Sequence, residues 1–166
     1  MNSSTRSTKK YTFKKPELLK LRELGSRVTS PENFQAHHGR LLSILQTKVE
    51  EGVLNTLVQF YDPLYHCFLF PDNILVPTLE EYSDLVGLPV SNEVPFPGFE
   101  PIPKTSTIVV ALHLETSELK AKLTIKGGLQ CLLTHFLFQK ASLFTKLDNN
   151  EAFHSVLALL IYGQFC

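Results

Sequence analysis

Eight of the ten prolines in this chain fall between Pro63 and Pro103. Proline lacks a backbone donor and clashes with the turn before it, so no long helix or central strand can cross that stretch. Regular helices must lie on either side, with short pieces between.

The apolar pattern before the prolines is helical. Pro16 to Leu24 predicts a short helix closed by Gly25. Ser30-Pro31-Glu32 predicts a second start: a Ser cap, Pro at the first helical position and an acid at the positive end. Periodicity continues through Leu41, Ile44, Leu45 and Val49 to a break at Glu50-Glu51-Gly52. Leu54, Leu57, Val58 and Tyr61 form a second stripe, ended by Asp62-Pro63 because the residue before Pro avoids helical geometry.

Inside the proline-rich part, Cys67-Phe68-Leu69-Phe70 and Ile74-Leu75-Val76 flank Pro71-Asp72-Asn73. Two short apolar runs around turn residues predict a small hairpin. Thr78 and Glu81 have capping-box spacing, Gly87 suits a left-handed helix end, and Pro89 stops the chain from continuing as helix. Leu79, Tyr82, Leu85 and Val86 supply the face this helix is expected to bury. Pro89 to Lys104 reads as an extended connector within the domain, pinned by Phe96 and Phe99.

Helical patterns then resume. Ser106 to His113 and Ser117 to Leu123 predict short helices, although Ile108 to Val110 suits a strand equally. Gly127-Gly128 predicts a turn between helices, and Leu129, Leu132, Leu133, Phe136 and Leu137 a helical stripe reaching Leu147. Asp148-Asn149-Asn150 predicts a loop with a cap. Phe153, Val156, Leu157, Leu160 and Ile161 mark a last helix, apolar nearly all round and therefore buried. Such a helix expects neighbours on every side, and the sequence stops just after it, so the expected domain continues past Cys166.

The expected fold is mainly α, an irregular helical domain with one small β-hairpin, truncated at its C-terminus. Residues 1–15 form a disordered basic arm and 16–166 the helical domain, with the Phe60–Pro89 unit its best-defined part. Leu45, Leu57, Phe60, Phe68, Phe70, Leu79, Leu85, Phe136 and Leu160 are the expected hydrophobic anchors.

Charge is balanced overall, with sixteen Lys/Arg against sixteen Asp/Glu, so the whole chain is not a general polyanion binder. The balance hides an asymmetry. Residues 1–30 carry eight Lys/Arg against two Glu, a net +6, which leaves −6 for the remainder. Lys9, Lys10, Lys14 and Lys15 form a basic cluster suited to nuclear import or phosphate contact, or simply a solvated tail. Three cysteines without close pairing argue against a disulfide framework. The polar start shows no signal peptide, and the apolar run Val156 to Gly163 is too short to span a bilayer. An intracellular, soluble domain is expected.

Groups that could carry chemistry are sparse. Asp62, Asp72, Asp84 and Asp148 sit on turns, a helix and a loop, not on the neighbouring strands that a two-metal carboxylate site needs. His37-His38 and His66-Cys67 are adjacent pairs whose side chains diverge. Cys131 and His135 have i, i+4 helical spacing, but no second pair completes a zinc site. Lys126-Gly127-Gly128 is too short for a phosphate loop. Phe68, Phe70, Phe96 and Phe99 could form a recognition surface, though alternate aromatics on strands more often face a core. No catalytic, cofactor or metal residue is expected.

Four segments carry a family resemblance: Phe60-Tyr61-Asp62-Pro63, Phe68-Leu69-Phe70-Pro71, Val76-Pro77-Thr78-Leu79-Glu80-Glu81-Tyr82 and Leu85-Val86-Gly87-Leu88-Pro89-Val90. Their order resembles the plant mobile domain family, especially a legume subgroup known only as a domain of unknown function. Phe153 through Gly163 is similar to a later helix of that family. The resemblance implies an origin in plant transposable elements and a nuclear role in silencing. It also brings the family's "aminotransferase-like" label. That label would need a large pyridoxal-binding fold with a Schiff-base lysine, for which this chain offers no setting.

The preferred expectation is a non-enzymatic nuclear module that binds a protein partner or chromatin, with no cofactor, membrane or small-molecule substrate. The alternatives are nucleic-acid binding through Lys9 to Arg27, an enzyme whose site is completed by further C-terminal sequence, or a non-functional element fragment.

Overall fold

The computed structural model describes residues 17–48, 50–62, 65, 67–76, 78–89, 103–126 and 129–162. The basic arm with Lys9, Lys10, Lys14 and Lys15, the 90–102 part of the connector with Phe96 and Phe99, and the residues Val49, Pro63, His66 and Gly127-Gly128 lie outside them.

The domain is mainly α. Nine helices are described: α1 (Leu18–Gly25), α2 (Pro31–His38), α3 (Leu41–Gln46), α4 (Glu51–Leu57), α5 (Leu79–Val86), α6 (Thr105–Leu112), α7 (Thr116–Lys122), α8 (Thr134–Lys146) and α9 (Asn150–Ile161). A three-residue 3-10 turn, Val58–Phe60, extends α4. Strands β1 (Tyr61–Asp62), β2 (Cys67–Leu69) and β3 (Ile74–Leu75) form one antiparallel sheet in that order. Strands β4 (Leu123–Lys126) and β5 (Leu129–Leu132) form a second.

Helix α9 is the centre. Ala152, Phe153, His154, Val156, Leu157, Ala158 and Leu160 are all buried, and α9 packs against α8, α1, α3 and α6. It runs back along α8 through a tight reversal. The Asn149 amide donates to the Phe144 carbonyl at 3.0 Å, and the Asp148 amide to Thr145 at 3.3 Å, with Asp148 at φ 55°. These bonds satisfy two carbonyls at the end of α8. Asn149 then caps α9 by accepting from the Ala152 amide at 3.1 Å. The core adds Leu21 and Leu24 of α1, Phe34 of α2, Leu41 and Leu45 of α3, Leu112, Leu119, and Phe136, Leu137, Ala141 and Phe144 of α8.

The first hairpin and α5 form as expected. Phe68 faces Leu75 and Leu69 faces Ile74, and the Phe70 amide closes on the Asn73 carbonyl at 2.9 Å. Thr78 Oγ1 accepts from the Glu81 amide at 3.1 Å while Glu81 Oε2 accepts from the Thr78 amide at 2.9 Å. Gly87 ends α5 at φ 73°, ψ 30°.

Several expectations are corrected. The stripe from Leu54 to Tyr61 does not stay helical to Asp62-Pro63. Helix gives way at Val58, and Tyr61 and Asp62 pair with Phe68 and Cys67. Glu51-Gly52 opens α4 instead of breaking it. Leu129 to Leu132 is a strand, so α8 begins only at Thr134, and the segments flanking Gly127-Gly128 are strands of a second hairpin. The helix expected from Ser106 to His113 does form, as α6, with Ile108 to Val110 inside it. Of the expected anchors, Leu45, Phe136 and Leu160 are buried. Leu57, Phe60, Phe68 and Phe70 are only half-buried, and Leu85 is 62% exposed. Tyr82 is also exposed, Val86 is buried, and the Leu79 side chain lies outside the described ones.

Candidate functional site

Two places concentrate groups that the fold itself does not use up. The first is the outer side of the three-stranded sheet and α5. Within the sheet, aromatics pack on each other: Tyr61 lies directly opposite Phe68 with ring centroids 5.4 Å apart, and Phe60 meets Phe70 at 5.0 Å. Beyond them, Ile74, Leu75, Val76, Tyr82 and Leu85 are 48–66% exposed. Strand β3 is the edge of its sheet, and no strand pairs with its outer side among the described residues.

Among the described residues, this unit meets the core at the end of α5. The α2–α3 corner meets the end of α5, where the Arg40 amide donates to the Val86 carbonyl at 2.5 Å. Gly39 adopts φ 65°, ψ −153° there, and a Cβ on it would collide with the Val86 carbonyl oxygen. The Arg40 side chain lies across Gly87, within 3.2 Å of where a Cβ would stand. Ser83 Oγ donates to the Leu88 carbonyl and closes the turn.

The second place is a histidine cluster where α2 meets α9. His154 is 5% exposed, and its Nε2 has no hydrogen-bond partner among the described residues. The Phe34 ring meets it edge-on at 5.2 Å and lies 4.8 Å from the His38 ring, centroid to centroid. His37 follows, 6.4 Å from His38, with Nδ1 2.9 Å from the Asn33 carbonyl oxygen. Burial lowers the pKa of both His154 and His38, and repulsion from neighbouring histidines lowers them further.

The rings of His37 and His38, expected to face apart, lie 6.4 Å from each other, and His154, which the sequence did not single out, comes close enough to interact with them. Its only signal was a titratable group on a helix otherwise apolar nearly all round. Among the described residues, no group of three or more His, Cys, Asp or Glu has the geometry to hold a metal ion.

The Cys131–His135 pairing is corrected. Cys131 is on β5 and His135 on α8, so helical spacing does not join them. Cys67 is a buried free thiol. Asp62 lies on β1, where it accepts from the Tyr65 amide at 3.3 Å. Asp72, Asp84 and Asp148 are exposed on separate elements. A shallow open cleft between α6, α7 and β4 is lined by Thr105, Lys120, Leu123, Thr124 and Ile125. Among the described residues, that lining brings together hydroxyls, one ammonium and apolar carbons.

The basic segment divides. Arg22 donates from Nε to the Leu45 carbonyl at 2.7 Å and from Nη2 to the Thr47 carbonyl at 3.1 Å, covering the end of α3. Arg27 pairs with Glu23 at 2.6 Å and Lys20 with Glu17 at 2.7 Å. These three cations are already engaged within the fold.

Fold and site together define a mainly helical domain with an exposed apolar sheet edge. The family described as a domain of unknown function (DUF7745) matches residues 21–165, and the chain belongs to it. No curated protein and no solved structure matches the chain. No described helix is long and apolar enough to cross a membrane.

Proposed function

We propose that the chain is a non-enzymatic protein-interaction module, acting in the nucleus as part of a transposable-element-derived, chromatin-associated protein. The observation that carries this reading is the exposure of Ile74, Leu75, Val76, Tyr82 and Leu85 along the sheet edge and α5. Large exposed apolar side chains beside an unpaired strand suit an extended apolar segment of a partner, added as a further strand. The resemblance to plant mobile domains supplies the nuclear setting, and Lys9, Lys10, Lys14 and Lys15 supply a signal for import.

Proximity labelling in plant cells tests it. The wild-type chain should label a reproducible set of nuclear proteins, and the Ile74→Lys/Leu85→Lys variant should lose part of that set while melting at the wild-type temperature. Identical sets, or no nuclear labelling, would refute the reading.

Direct nucleic-acid binding is the second reading, favoured by the +6 balance of residues 1–30. Because Lys20, Arg22 and Arg27 are engaged in the fold, phosphate contacts would fall to Lys9, Lys10, Lys14 and Lys15. Each of these lysines changed to Gln should then reduce the slope of log affinity for duplex DNA against log salt by about 0.9.

A further inference from the structure

A buried imidazole with an unpartnered nitrogen is stable only while neutral. His154 is in that position at the α2–α9 contact, wedged against Phe34 and Phe153, with ring centroids 5.2 and 5.9 Å away. The titratable groups acting on it across the contact are His37 and His38 of α2, and both add repulsion when protonated. The other elements packed on α9 contribute apolar groups to the shared core: Leu21 and Leu24 from α1, Leu41 and Leu45 from α3, Leu112 from α6, and Phe136, Leu137, Ala141 and Phe144 from α8. The nearest carboxylates on these two helices are Glu151, three residues before His154, and Glu32 of α2, and both are exposed.

We propose that the α2–α9 contact is a proton-operated latch: protonation of the His154–His38 pair releases α2 from α9 while the α8–α9 pair stays folded. Helix α2 is suited to this role. It has eight residues, only Phe34 among them is buried, and its Ser30 cap makes no side-chain hydrogen bond. Its release would free the Gly39-Arg40 corner that holds the end of α5, so the sheet edge and α5 would loosen with it.

The sign follows from linkage. A histidine whose folded pKa lies below its unfolded value, near 6.5, contributes full stability above that value. The contribution is lost as pH falls from there through the lowered folded value.

The test is amide hydrogen exchange on the full chain between pH 7.5 and 5, corrected for the intrinsic pH dependence of exchange. Protection of the Phe34–His38 amides should fall below pH 6.5 by up to about tenfold per pH unit for each coupled proton. Protection in α8 should hold, and His154→Phe should reduce the pH dependence in α2, with the remainder due to His38. Parallel loss in α2 and α8, or unchanged loss in His154→Phe, would overturn the latch. If His154→Phe fails to fold, NMR titration of the His154 ring in the wild-type chain decides the matter. A midpoint below 6.5 that tracks α2 opening supports the latch, and a midpoint at or above 6.5 with α2 closed refutes it.

Discussion

Gly39 shows how much one residue can determine here. Its φ of 65° and ψ of −153° belong to a region open essentially to glycine, and a Cβ would also strike the Val86 carbonyl. Gly39→Ala should therefore cost at least about 2 kcal/mol, from backbone strain and the displaced helix end together. A urea-denaturation midpoint close to wild type would contradict that. Thr78→Ala removes one acceptor from a complete capping box, and about 1 kcal/mol should go with it in the same measurement. The Thr78 cap and the Gly87 turn were legible in the sequence because both signals are local, carried within four residues. Tyr82 and Leu85 were misjudged for the opposite reason. Helical spacing shows which side chains share a side, but not whether anything covers them. His154 was missed because its meaning depends on Phe34 and His38, more than a hundred positions away.

Among the elements, α1 and α3 are joined by Arg22, whose guanidinium donates to two carbonyls at the end of α3. Arg22→Ala should destabilise the fold by about 2 kcal/mol, since a charged donor is lost and the Leu45 carbonyl loses its side-chain donor. The counterpart Lys20→Ala, at an exposed pair, should change little. Equal effects in thermal melts would mean that Arg22 is only a surface charge. In the sequence, Arg22 was just one of eight basic residues among the first thirty. The second hairpin was hidden for a related reason. Leu129, Gln130, Cys131, Leu132 and Leu133 suit a helix as readily as a strand, and what decides is the partner strand running from Leu123 to Lys126. The first hairpin was legible because Pro71-Asp72-Asn73 marks its turn directly.

At the scale of the whole molecule, the chain is built in two parts of unequal depth. Helices α1, α2, α3, α6, α8 and α9 contribute most of the described core. The α4 to α5 region contributes Val86 to that core, while Leu57, Phe60, Phe68 and Phe70 are half-buried and Ile74, Leu75, Val76, Tyr82 and Leu85 exposed. The sequence led to the reverse expectation, with the Phe60–Pro89 unit as the best-defined part, because its motifs are the most recognisable. Recognisable turns and caps report local geometry, whereas depth comes from how many elements converge, and they converge on α9. The proposed division of labour depends on this: a core that holds the fold, and an outer sheet edge and α5 free to meet a partner. Residue-resolved hydrogen exchange at neutral pH tests it most directly. The Phe153–Ile161 amides should be the slowest in the chain, exchanging only through global unfolding, while those of Cys67–Leu75 exchange faster through local opening. If the sheet amides are as slow as those of α9, or α9 exchanges as fast as the sheet, the two-part account is wrong.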